Sequence, residues 1–113
     1  MAIENAQLTT TQQDLLVVPG NVPNGWAITN IMVCNSHSAD AASFDMHLIK
    51  SGEALSNTKT IVVKELNLPA GETFTFDSEK VVLSPGDKLS FVAEPDIGGG
   101  ATNLVATVSY LEV

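Results

Sequence analysis

The sequence predicts an all-β fold, an antiparallel β-sandwich of about eight short strands with jelly-roll or Ig-like order. Three observations carry this. Apolar residues recur at a period of two more often than of three or four. The apolar runs are rich in β-branched residues and threonine, which suit a pleated, half-buried surface. Turn sequences built on proline and glycine separate the runs at intervals of about 8 to 12 residues, the spacing of a sandwich or barrel. The chain has 113 residues, enough for one domain and one core without disulfides or a structural metal.

Runs bounded by turns lie near 7–11, 14–18, 26–35, 43–50, 60–68, 72–77, 80–83, 87–94 and 102–112. Alternation is clearest in 43–50, where Phe44, Met46 and Leu48 form one row, predicted inward, and Asp45 and His47 the other, predicted outward. Phe74 and Phe76 repeat the pattern, as do Leu89, Phe91 and Ala93. Residues 26–35 and 104–113 are apolar on both parities, which suits central strands or strands covered on both faces. In the last run Ala106, Val108 and Tyr110 make one row, and Val105, Leu111 and Val113 fall on the other, which makes Val105 a candidate partner contact. Pro19-Gly20, Pro23-Asn24-Gly25, Pro69-Ala70-Gly71 and Ser84-Pro85-Gly86-Asp87 mark chain reversals, because proline presets φ and glycine accepts positive φ. The glycines at 98–100 read as a hairpin tip, and 51–58 as a polar surface connection with one helical turn. Residues 14–113 are assigned to the sandwich. Residues 1–13, rich in Thr and Gln, are assigned to an N-terminal arm or edge strand that pairs with a neighbouring subunit, with Leu8 as a candidate contact.

Composition excludes several functions. Five lysines and no arginine stand against 13 acidic residues, a formal charge of −8. Binding to nucleic acid or to an anionic membrane needs clustered cations, so neither is expected. No run approaches the roughly 20 apolar residues of a membrane span, and no secretion signal opens the sequence, so synthesis in a cytoplasm is expected. Cys34 is the only cysteine and lies in the apolar run Ile31-Met32-Val33-Cys34, where a thiol acts as a small hydrophobe.

Each constellation with possible chemistry has a plainer explanation. His37 and His47, with Asp40 or Asp45, offer metal-ligand types, but their spacing matches no ligand template and both histidines are expected to be exposed. Asp40, Asp45, Glu53, Asp77, Glu79, Asp87 and Asp96 form no Asp-x-Asp-x-Asp-Gly run, so an EF-hand is excluded. Ser36, Ser43, Ser78 and Ser90 lack the Gly-x-Ser-x-Gly elbow, and the glycine tract lacks the Lys-Ser or Lys-Thr of a phosphate loop. No catalytic residue, cofactor or metal ligand is assigned. Trp26, directly after Asn24-Gly25, is either a core anchor at the end of the sandwich or a stacking platform for a ligand, and it is the third candidate partner contact. A glycan- or receptor-binding module would use Trp26 with His37, Asp40 and Asp96.

Two phrases carry a resemblance. VPNGWAITNIMVCNSHSADAASFDMHLIK and LNLPAGETFTFDSEKVVLSPGDKLSFVAE, closed by ATNLVATVSYLEV, resemble a recurrent small β-sandwich module of tailed-bacteriophage virions, from about Val17 to Val113. Where such modules often carry VPAGK, this chain has VPNGW, so Trp26 replaces a polar residue. The resemblance implies a non-enzymatic virion component: a capsid decoration or cement protein, or a unit of the neck, tail or fibre. Its implied partners are the major capsid protein or neck and tail proteins, together with further copies of itself.

Overall fold

The computed structural model describes residues 2–76, 81–95 and 103–113. Nine strands are present among them: β1 (Ala2–Gln7), β2 (Gln13–Val17), β3 (Trp26–Asn35), β4 (Ala42–Ile49), β5 (Ile61–Leu68), β6 (Thr73–Phe76), β7 (Val81–Leu83), β8 (Lys88–Ala93) and β9 (Leu104–Glu112). One sheet has the order β1-β9-β3-β6, with β7 also on β3, and the other has the order β2-β8-β4-β5. All pairings are antiparallel.

The pairings β1 with β9, β2 with β8, β3 with β6 and β7, and β4 with β5 nest inside one another around the 50–60 connection. The chain is therefore one long hairpin rolled up on itself. With β6 and β7 counted as one interrupted strand, this is the eight-strand jelly roll and not the Ig order. Turns fall where proline and glycine placed them. Gly25, Gly71 and Gly86 have positive φ, and a Cβ on Gly25 would collide with the carbonyl oxygen of Leu83.

The core lies between the sheets. Ile31, Val33, Leu104, Ala106 and Val108 from one sheet meet Phe44, Met46, Leu89 and Phe91 from the other. Phe44 touches both Phe74 and Phe91, with ring centroids 5.8 and 6.1 Å apart. Such tilted ring pairs add to the burial of their apolar area.

The N-terminal segment differs from its expected form. The strand lies at Ala2–Gln7 and not at 7–11, and it is a built edge of the five-stranded sheet, paired to β9 of its own chain. Leu8 is wholly buried in the core, so it anchors the crossing between sheets and is not a surface contact. Beyond it, Thr9 and Thr11 bond each other and the chain turns into β2.

Candidate functional site

The outward row of β4 is not in water. Asp45 and His47 are both buried, as is Ile49 beyond them, because the 50–60 connection and β5 supply their partners. Asp45 Oδ1 accepts the Glu65 N–H at 2.7 Å, and Glu65 holds a left-handed φ of 47°. His47 Nδ1 bonds Thr60 Oγ1 at 2.8 Å, while its Nε2 is buried with no hydrogen-bond partner among the described residues. Burial holds the His47 imidazole below its ordinary pKa, although the Asp45 charge works the other way.

Glu94 lies beside Asp45. A hydrogen bond that its protonated carboxyl donates to this neighbour, then burial, then the negative charges of Asp45 and Glu65 push its carboxyl up to about 7. Glu94 also lines a polar pocket of about 330 Å³ with Asp40, Ser43, Asn67 and Pro95. On the same face Ser90 is buried and its Oγ donates to Asp14 Oδ1 at 2.6 Å, so that hydroxyl serves a carboxylate. This bond, one from Gln12 and the Lys88 charge outweigh burial and hold the Asp14 carboxyl below its ordinary value. Among the described residues no group of three or more His, Cys, Asp or Glu could hold a metal ion.

Several polar candidates have structural employment. Asp87 accepts the N–H groups of Ser51 and Ser84, both at 2.9 Å, and so ties two turns together. Glu53 pairs with Lys59 at 2.8 Å. His37 Nδ1 accepts the N–H groups of Ala39 and Asp40, which orders the loop after β3. Asp77, Ser78, Glu79, Asp96 and the glycines at 98–100 lie outside the described residues.

Trp26 sits at the other end of the molecule from His37 and Asp40. It opens β3 whereas they follow it, and ten extended residues span about 33 Å. The proposed glycan constellation of Trp26, His37 and Asp40 is therefore not assembled. Trp26 is half-buried and packs on Tyr110 with ring centroids 4.5 Å apart, beside a pocket of about 300 Å³ lined also by Ala2, Leu111 and Glu112.

The distinctive surface is the outer face of the five-stranded sheet. The inward row of β9 is Leu104, Ala106, Val108 and Tyr110, so Val105, Thr107, Ser109 and Leu111 point outward. The registers align these residues with Ile3, Asn5 and Gln7 of β1 on one side. On the other side stand Ala27, Asn30, Met32 and Cys34 of β3, then Thr73 and Thr75 of β6 and Val82 of β7. None of these side chains is charged, on a chain with 18 charged residues. Of the six exposed large hydrophobics among the described residues, three, Ile3, Met32 and Val82, stand on this face. The outer face of the other sheet carries Asp14, Asp45, Lys88 and Glu94.

Val105 lies on the uncharged face and is partly exposed, between Gln7 and Cys34. Trp26 lies at its end, on the opposite parity. The neutrality of the face was invisible along the chain, because it is assembled from five strands whose registers decide which residues share a side.

The fold and this face define a class: an all-β jelly-roll sandwich with one charged outer surface and one that is uncharged among the described residues. Comparison with protein-family models, with curated proteins and with solved structures returns no match. No helix among the described residues is long and apolar enough to cross a membrane.

Proposed function

We propose that this protein is a non-enzymatic structural component of a tailed-bacteriophage virion, a decoration or cement protein that binds the assembled head in many copies. The observation that carries the proposal is the uncharged outer face of the five-stranded sheet. The centres of protein interfaces are depleted of charge, because an unpaired charge taken out of water is costly. A chain of net charge −8 whose described strand residues on this sheet face are all neutral has a surface on which a partner can settle without that cost. The virion setting is supported by the phrase-level likeness of Val17 to Val113 and by the use of jelly rolls in viral shells, a fold-level analogy.

Size argues for many copies. Four strands about 4.8 Å apart, each contributing about seven residues at about 3.3 Å, give a patch of roughly 450 Å². A stable one-to-one interface buries about 800 Å² per partner, so single docking is weak and repetition on a lattice supplies the avidity. A neck or tail position is the alternative within the same class.

The test places charge at the centre of the face. Thr107→Glu is expected to lower the copy number on purified particles at least about tenfold, the effect of about 1.4 kcal/mol, with little change in thermal stability. Val62→Glu, exposed on β5 of the other sheet, is expected to load normally. Normal loading of Thr107→Glu overturns the proposal. In the parent protein, hundreds of copies per particle support the shell, and about a dozen or fewer support the neck or tail.

A further inference from the structure

An edge strand offers unpaired N–H and C=O groups to any other strand, and most edges carry devices that prevent this. The edges of this sandwich differ. β2 shifts register between Asp14 and Leu16 and is followed by Pro19. β5 shifts register twice against β4 and contains the left-handed Glu65. β6 and β7 are short pieces of four and three residues. β1 runs six residues in unbroken register with β9, from Ala2 opposite Tyr110 to Gln7 opposite Val105, and Glu4 is its only charge.

The ladder decides which backbone groups β1 presents. The Leu8 N–H donates to the Leu104 carbonyl at 2.8 Å, so these two form a hydrogen-bonded pair. Antiparallel ladders alternate such pairs with non-bonded ones, so Ala2, Glu4 and Ala6 bond β9, and the N–H and C=O of Ile3 and Asn5 point to the open edge. The side chains of Ile3 and Asn5 lie on the uncharged outer face, and Glu4 lies on the opposite side.

We infer that two copies of this chain pair through β1, antiparallel, about a twofold axis that passes by Asn5 perpendicular to the sheet. Such an axis keeps both outer faces on one side, so facing residues share parity: Asn5 meets its own symmetry mate, and Glu4 meets Ala6 of the second copy. The outward N–H and C=O groups of the two Asn5 residues then close a reciprocal pair of hydrogen bonds. Centring on Glu4 would set two carboxylates directly opposite each other, a destabilising cross-strand pair, and centring on Ile3 would shorten the overlap. Two acidic chains repel over most of their surfaces, and this edge brings them together along a line with one avoidable charge. The pairing also merges two neutral faces into one surface of double width. It concerns the chain in solution and stands whether or not that face binds a shell.

The test uses the full chain in a Cys34→Ser background, which removes its own thiol. Residues of a hydrogen-bonded antiparallel pair have Cα atoms about 5.5 Å apart, inside the range that a disulfide bridges. Asn5→Cys is therefore expected to form a covalent dimer under mild oxidation at least about tenfold faster than Thr73→Cys, a thiol exposed on the opposite edge. Sedimentation of the Cys34→Ser protein at about 100 μM is expected to show a dimer, a population reached when the dissociation constant is micromolar. Asn5→Pro removes an outward N–H while sparing the β9 ladder, and is expected to weaken that dimer about tenfold or more. A monomer at that concentration, cross-linking of Asn5→Cys no faster than that of Thr73→Cys, or undiminished dimerisation of a folded Asn5→Pro would each overturn the inference. If Asn5→Pro does not fold, sedimentation and the cross-linking comparison decide.

Discussion

Replacing Glu94 by glutamine is expected to make the stability of this protein less dependent on pH, and the direction follows from the carboxyl cluster. In the folded chain Glu94 keeps its proton up to about 7, against 4.5 for a free side chain. Between those values the folded state holds a proton that the unfolded state has released, so raising the pH through this window costs stability. Each tenfold difference in proton affinity is worth about 1.4 kcal/mol, which sets a ceiling of about 3 kcal/mol, and solvent at a partly exposed carboxyl reduces it to roughly 1–2 kcal/mol. Glutamine keeps a donor toward Asp45 and never ionises. His47 works in the opposite sense: its lowered pKa costs stability as pH falls through 6.5, but it does so in both proteins and largely cancels in the difference. The lowered Asp14 pKa acts only below about 3.8. Urea unfolding of both proteins between pH 5 and pH 8 should therefore find them nearly equal at the acid end and Glu94→Gln more stable by roughly 1–2 kcal/mol at the alkaline end. A difference that does not change with pH would refute the raised Glu94 pKa on which this prediction rests.

Three further substitutions test the packing. Leu8→Ala should cost about 2–5 kcal/mol in urea unfolding, because the side chain is wholly buried in the core; a loss under about 1 kcal/mol would mean that Leu8 is a surface contact after all. Gly25→Ala should lower the thermal midpoint by 10 °C or more, roughly the effect of 2 kcal/mol or more, since its φ is +79° and a Cβ would strike the Leu83 carbonyl. Asn35→Ala should cost about 2–4 kcal/mol. The buried Asn35 amide donates to the carbonyls of Asp40 and Leu68 and accepts the His37 N–H, and amide exchange in residues 36–41 should rise with its loss.

The sequence made the inward rows legible because burial between two sheets imposes a strict period of two, as Phe44, Met46 and Leu48 illustrate. Turns were legible because glycine at positive φ has few substitutes. The jelly-roll order was not, since a sandwich of either topology shows the same alternation. His47 and Asp45 were misplaced because outward parity was equated with solvent, whereas Thr60 and the Glu65 backbone engage them on the outer side of β4. β1 was placed five residues late because Leu8 and the threonines after it look like a strand, while the true strand, Ala2–Gln7, has Ile3 as its one large apolar residue and shows no apolar alternation, its inward row being Ala2, Glu4 and Ala6. The uncharged face was partly foreshadowed by Val105, but only strand pairing brings Thr107, Met32 and Thr75 side by side.

The claim on which the functional account rests is that the outer face of the five-stranded sheet meets the partner while the charged face stays in water. Hydroxyl-radical footprinting of the chain, free and on purified particles, tests it directly. The account predicts that Met32, Leu111 and Val82 lose reactivity on the particle while Val62, on the other sheet, keeps it. Unchanged reactivity of Met32 with protection of Val62 would contradict it.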